Sequence, residues 1–348
     1  MLSNPKLSIV VAVRNDNYGG DFIERLQACV NWNTKFLERF GVTTEFLMVN
    51  WNPVAENAPL QKSIHWPKER KFVEYRLIDV PPEVHQHYVD PTVRKTVPLF
   101  EFIAKNVGIR RASGKLVLCI NADILIHPEI IAFIGSTVMD NSRYYRANRL
   151  DFRNGAALKL DELWNSGFAI SLKGFMYRFN SLFDKQKQYK RLQKINTLRL
   201  KWEAFKLRNS KLVGLFRFPV VYNNGGYQAH CLNAGDFMLM DKANWLRLKG
   251  YPEYTSISTH TDAIFTVLAN GIFEEVVLQQ PVFHQEHERR YTWEAIQNSN
   301  EFDEAYQLFE DIASSIAKGN SVHQYLNTDG WGLEEHNLNE RFIEIETE

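Results

Sequence analysis

An α/β fold with a parallel half is what this sequence predicts, and three observations carry the prediction. Leu7–Val13 (LSIVVAV) and residues 45–49 (EFLMV) are apolar runs separated by a segment with Phe22, Leu26, Val30, Phe36, Leu37 and Phe40 at helical spacing. Strand, helix and strand in that order make a right-handed βαβ unit and so begin a parallel sheet. A third run, Leu116–Ile120 (LVLCI), suits a strand buried on both faces and stops abruptly at Asn121-Ala122-Asp123. A carboxylate at the carboxyl end of such a strand sits where open α/β sheets bind ligands.

Composition narrows the class. The chain has 348 residues with 41 basic and 41 acidic side chains and 45% hydrophobic content, enough for a full-sized core. That balance argues against nucleic acid as a partner. Cys29, Cys119 and Cys231 are odd in number and far apart, which makes neither a disulfide framework nor a metal-ligand spacing and suggests a reducing compartment. No segment approaches the ~20 apolar residues of a membrane span. Residues 1–13 lack a basic leader and an apolar signal core, so a cytoplasmic protein is expected.

In chain order, Arg14-Asn15-Asp16-Asn17-Tyr18-Gly19-Gly20 is the loop after the first strand, and Asp21 is placed to cap the first helix. The loop holds neither Gly-x-Gly-x-x-Gly nor a Walker sequence, against a dinucleotide enzyme or a P-loop NTPase. Residues 53–67 read as loop and 75–80 (YRLIDV) as a strand. Residues 81–98 read as loop again, where His85, His87 and Asp90 are expected to be solvated rather than metal-bound. A helix follows from Leu99 and stops at Ser113-Gly114, because glycine just past a basic last turn is a stop signal. Residues 130–138 suit a helix, 144–151 a strand and turn, and 276–283 a strand running into His284.

Residues 173–211 differ from the rest, with twelve Lys or Arg against Asp184 and Glu203. Ile195, Leu198, Trp202 and Phe205 form one apolar stripe on a basic helix. Two readings fit: an insertion whose stripe packs on the domain, or an in-plane contact with an anionic membrane.

The organising helix, with Lys105-Asn106 and Gly108, then Ala112-Ser113-Gly114, the strand and the short acidic motif, resembles the GT-A glycosyltransferases. Asn233-Ala234-Gly235-Asp236-Phe237, a following strand, a helix with Trp245, Lys249-Gly250-Tyr251-Pro252-Glu253 and then Thr261-Asp262 resemble the acceptor half of inverting, family-2-like members. The resemblance implies a Rossmann-like nucleotide-binding half (about 1–150) and an acceptor half (about 212–290) on a mixed central sheet. The 173–211 insertion interrupts this 1–290 domain, and a helical tail (291–348) follows it.

The resemblance also implies roles. Arg14, Asn15 and Asp16, with Asn50 after the second strand, would cradle the base and ribose of a nucleotide-sugar, uridine being favoured. Lys105, Asn106 and Arg110 fall on the helix expected to neutralise the diphosphate. Asn121 stands where the family usually has its first acid, and Asp123 is the acid expected to hold Mn²⁺ or Mg²⁺. His284 is the expected partner at that metal, with His287 second. Asp236 would hold a sugar hydroxyl, and Asp262 would be the general base or a helix N-cap. Arg146 and Arg149 would face the donor or form structural ion pairs. Residues 327–333, with Trp331, are expected to dock over the site. The implied function is metal-assisted, inverting transfer from a UDP-sugar to a glycan or lipid-linked acceptor. A sugar nucleotidylyltransferase is one alternative, although its Gly-rich loop is missing from RNDNYGG. A catalytically inactive protein binding sugar or a lipid surface is another, which Asn121 and Thr261 in place of acids allow.

Overall fold

The structure is a computed structural model describing residues 2–91, 97–152, 233–257, 259–278, 280–288 and 300–344. The basic insertion at 173–211, the start of the expected acceptor half and the first part of the tail lie outside the described residues.

The sheet begins with β1 (Leu7–Val13), β2 (Thr44–Trp51), β3 (Val73–Val80) and β4 (Leu116–Ile120), mutually parallel in the order β3-β2-β1-β4. Every residue of β1 and β4 is buried, which is why both read as apolar runs, broken only by Ser8. Ile9, Val11 and Val13 face one layer with Leu26, Phe36 and Leu37 of α1 (Phe22–Arg39). Val10 and Ala12 face the other, with Ile103 and Val107 of α4 (Glu101–Arg111). Gly108 sets how closely α4 approaches: a Cβ there would lie 2.5 Å from Val10 Cγ1.

Beyond β4 the sheet becomes mixed. β8 (Phe237–Asp241) is antiparallel to β4, β6 (Arg143–Arg146) antiparallel to β8, and β9 (Glu274–Val277) parallel to β6. β11 (Asn339–Phe342) closes the far edge against β3, giving eight strands. A second sheet of three strands places β10 (Val282–Gln285) between β5 (Ile124–Leu125) and β7 (Arg149–Phe152). A parallel half continuing into a mixed central sheet is the layout expected from the sequence.

Several expectations are corrected. Residues 81–98 are not all loop: α3 (Pro82–Tyr88) forms there, with Pro82 preorganising the first turn, and buried His85 accepts a hydrogen bond from Trp51 Nε1 at 2.9 Å. A short α2 (Leu60–Ser63) interrupts the loop expected at 53–67. The strand expected at 276–283 divides into β9 and β10, one in each sheet. The organising helix ends at Arg111, and Gly114 is not left-handed; a Cβ there would lie 2.5 Å from the Ser8 backbone nitrogen, so close approach is what requires glycine. Residues 327–333 dock behind α4 instead of over the site. Arg111 donates to the carbonyls of Gly332 (2.7 Å) and Leu333 (2.6 Å) there.

The remaining helices are α5 (Pro128–Ser136), α6 (Lys242–Arg247), α7 (Thr261–Asn270) and α8 (Asn300–Ala317), the last packed on α7 through Ile312 and Ile264. Among the described residues no helix is long and apolar enough to cross a membrane.

Candidate active site

The turn between β4 and β5 brings Asp123 to the carboxyl end of the parallel strands. The three-stranded sheet then supplies its neighbours by register, since His284 on β10 is paired with Ile124 on one side and Asp151 on the other. Nε2 of His284 lies 3.5 Å from Asp123 Oδ2, and Nε2 of His287 lies 3.3 Å from the same oxygen. One ligand atom from each of the three side chains falls within 4.8 Å of the others. Asp123 Oδ1 is buried and has no hydrogen-bond partner among the described residues. A buried carboxylate oxygen without a donor beside two converging imidazoles is the open valence a metal site needs.

The surroundings orient these ligands. Asp151 Oδ1 lies 2.9 Å from His284 Nδ1 and so leaves Nε2 to face Asp123, the carboxylate–histidine arrangement typical behind metal ligands. Burial opposes charge on His284, but Asp123 and Asp151 push its pKa up to about 9. Burial likewise opposes ionisation of Asp123, yet His284 and His287 hold its carboxyl well below the usual range. Arg25 of α1, 2% exposed, approaches Asp123 Oδ2 with Nε at 3.9 Å and donates from Nη2 to the Tyr18 carbonyl at 2.7 Å.

A second polar cluster lies against the same turn and is closed. Lys105, fully buried, donates from Nζ to Glu101, to Asn121 Oδ1 (2.6 Å) and to the Gly235 carbonyl (2.9 Å). Asn121 Nδ2 donates to Asp236 Oδ1 at 2.9 Å, and Arg149 Nη1 holds Asp236 Oδ2 at 3.0 Å. Asn121 is therefore both acceptor and donor. An aspartate in its place would face Asp236 with like charge.

Asp262 lies in the first turn of α7, but the N-cap of that helix is His260, left-handed with φ 57° and no side-chain cap. The cap reading of Asp262 is thereby corrected. Its Oδ2 accepts the Gly235 N–H at 2.8 Å, while Oδ1 makes no hydrogen bond among the described residues. Gly235 joins the closed cluster to Asp262, its carbonyl held by Lys105 and its amide by Asp262.

Several residues assigned to the donor make protein contacts in this structure. Arg110 lies at the end of α4 that leads into the amino end of β4, pairs with Glu334 and stacks its guanidinium 4.9 Å from the Trp331 ring centre. Asn106 is fully buried and clamps the turn after α6, donating to the Tyr251 carbonyl (2.7 Å) and Glu253 and accepting from the Tyr251 amide (2.7 Å). Lys105 is committed to the closed cluster. Asp236 is 3% exposed and engaged on both oxygens. Asn15 binds the backbone of Val54 and Ala58, shaping the loop after β2. Arg14 donates to the Asn52 carbonyl at 2.7 Å and pairs with Asp16. Asn50 donates to Asp79 at 2.8 Å, and its buried Oδ1 has no partner. Arg146 binds the carbonyls of Ala234 and Phe237, and Arg149 pairs with Asp151 and Asp236, so both form structural contacts.

Sequence reasoning missed Arg25 and Asp151. Arg25 reads as one more charge on an amphipathic helix, although its place one turn after Asp21 was a signal. Asp151 becomes meaningful only through its register with His284.

No known protein family profile matches the chain, and no curated protein is similar to it. Solved structures with a similar fold include the mannosyltransferase PcManGT from Pyrobaculum calidifontis in complex with GDP-Man and Mn²⁺, at 11% identity over 90% of this chain and 70% of that one, with a TM-score of 0.47. They also include residues 1–349 of TarS from S. aureus, at 13% identity over 95% of this chain and 76% of that one, with a TM-score of 0.42. The same TarS residues in complex with UDP-GlcNAc align with a TM-score of 0.39. None of these alignments bears on residue roles.

Proposed function

We propose that this chain is a glycosyltransferase that moves a sugar from a nucleotide-sugar, a UDP-sugar, to an acceptor hydroxyl with inversion. The observation that carries the reading is the Asp123–His284–His287 cluster, with its unpartnered buried oxygen, at the carboxyl end of the parallel strands. One carboxylate and two imidazoles suit Mn²⁺ better than Mg²⁺, which takes oxygen ligands and keeps its waters. Bound there, the ion would supply positive charge to a departing diphosphate.

The chain's own residues supply the rest. Asp151 orients His284, and the Lys105–Asn121–Asp236 cluster fixes the turn bearing Asp123. The loop holding Arg14, Asn15 and Asp16 and the end of β2 at Asn50 border the side where a nucleoside would lie. In the transfer, the acceptor oxygen forms a bond to the anomeric carbon as the bond from that carbon to the diphosphate oxygen breaks. The acceptor proton passes to Asp262 Oδ1, while Oδ2 stays on the Gly235 amide. The basic 173–211 segment would hold the protein on an anionic membrane where its acceptor is presented there.

A nucleotide-release assay over UDP-, GDP-, CMP- and TDP-sugars, with and without Mn²⁺, tests the reading. Mn²⁺-dependent release of UDP from one donor is expected, with loss in Asp123→Ala at unchanged circular dichroism. Pyrophosphate-dependent formation of a nucleoside triphosphate would instead make the protein a nucleotidylyltransferase, and no release from any donor would leave a binding protein.

A further inference from the structure

Beside Asp262 lies a cavity of about 210 Å³ that the steps above do not use. Phe100, Phe102, Pro252 and Tyr254 wall it, and Glu101 and Thr261 are its polar groups. It adjoins the candidate base. A Cβ built on Gly235 would lie 3.2 Å from the Phe102 ring and 3.6 Å from Asp262 Oδ2, so ring and carboxylate flank the same point. Thr261 is 2% exposed, lines the cavity, and its buried Oγ1 has no hydrogen-bond partner among the described residues. Buried hydroxyls are normally paired, so this one is a donor awaiting an acceptor atom.

Size and chemistry limit the occupant. An apolar cavity of about 150 Å³ already admits benzene, so the volume here fits one six-membered ring and is short of the ~300 Å³ at which drug-sized pockets begin. Among the described residues, the ammonium nearest the Phe102 wall, that of Lys105, lies 5.2 Å from the centre of the ring and already donates to Glu101, Asn121 and Gly235, which disfavours a phosphate. Aromatic faces present negative charge to C–H bonds, and a pyranose offers C–H groups on its faces and hydroxyls at its rim.

We infer that this cavity takes a single neutral pyranose ring, packed on Phe100, Phe102 and Tyr254 with one oxygen on Thr261 Oγ1, and that this ring is the acceptor. Only its being the acceptor rests on the glycosyltransferase reading. The ring is then the terminal sugar of a glycan, and the oxygen to be glycosylated points toward Asp262.

Saturation-transfer NMR on the full chain, without donor, tests this with the methyl pyranosides of glucose, galactose, mannose and N-acetylglucosamine. At least one should receive saturation on its ring C–H protons. Thr261→Val should weaken it about tenfold, the loss of one hydrogen bond, and Thr261→Ser should restore it. Phe102→Leu should reduce the transfer independently. Binding equal to wild type in both Thr261→Val and Phe102→Leu overturns the assignment. So does saturation of hexyl phosphate with none of any pyranoside. Pyranoside binding in a protein that releases no nucleotide would instead overturn the transferase reading and leave the ring site standing.

Discussion

The two polar clusters on either side of the 121–123 turn are alike in burial and charge and differ in closure. Around Lys105 each ammonium hydrogen has an acceptor and Asn121 uses both ends of its amide. Around Asp123 a buried oxygen has no donor, and two imidazoles converge on its neighbour. A closed cluster holds the fold together, whereas an open one is shaped for something that binds. Buried charge alone does not separate them. Lys105 has the motif position of a phosphate ligand and the environment of a structural joint.

Four substitutions break or sharpen that contrast, beginning with the largest effect. Asp262→Asn keeps an oxygen for the Gly235 amide and removes the base. Turnover should fall about 10²–10⁴-fold with donor affinity nearly unchanged. Near-normal kcat in the folded variant would return Asp262 to a structural role.

Lys105→Met tests the closed cluster. It leaves the Gly235 carbonyl and Asn121 Oδ1 without donors and should cost about 2–4 kcal/mol, read from the urea midpoint. Asp123→Ala removes the partner of His284 and His287 and should also lower the midpoint, but by less, and equal losses in the two variants would erase the distinction between the clusters.

His127, which caps α5 and accepts the Glu129 amide, extends the contrast to histidines. Burial alone pushes its pKa down to about 4, whereas carboxylates push His284 up to about 9. Between about pH 4 and 6.5 the unfolded chain binds more protons at His127 than the folded one. Its contribution is therefore complete above pH ~6.5 and lost as pH falls toward 4, by on the order of 2–3 kcal/mol. Urea titrations across that range should show a shallower slope in His127→Asn, which keeps a side-chain cap; an unchanged slope would refute the assignment.

Asn121→Asp has the smallest expected effect and the most instructive sign. By motif it restores an acid and should help the metal. By structure it sets a carboxylate against Asp236, where Asn121 now donates at 2.9 Å, and should cost about 1–3 kcal/mol without tightening Mn²⁺. Calorimetric titration of Mn²⁺ decides, and tighter binding would favour the motif.

How much was legible follows from which forces are local. β1 and β4 have the bounds read from their apolar runs, because burial on both faces leaves Ser8, which donates to Glu45, as their one polar residue. Helix α3 was hidden because PPEVHQHY has proline and histidine where an apolar stripe would announce a helix; its buried anchor is His85 on Trp51. The division of residues 276–283 into β9 and β10 falls at Gln279-Gln280-Pro281, a polar, proline-bearing break that the apolar residues on either side masked. His287, ranked behind His284 by its distance from the strand, reaches Asp123 because the chain turns back after β10.

By itself the sequence determined the parallel half, the strand leading to Asp123 and the order of the acidic and histidine positions, all expressed through neighbours a few residues apart. Tertiary structure alone decided how the polar side chains were shared out. Lys105 meets Gly235 across 130 positions, Asn106 meets Tyr251 across 145, and Arg111 meets Gly332 across 221. A side chain's role as ligand or joint depends on whether such distant partners satisfy its hydrogen bonds, and periodicity and motif spacing do not encode that pairing.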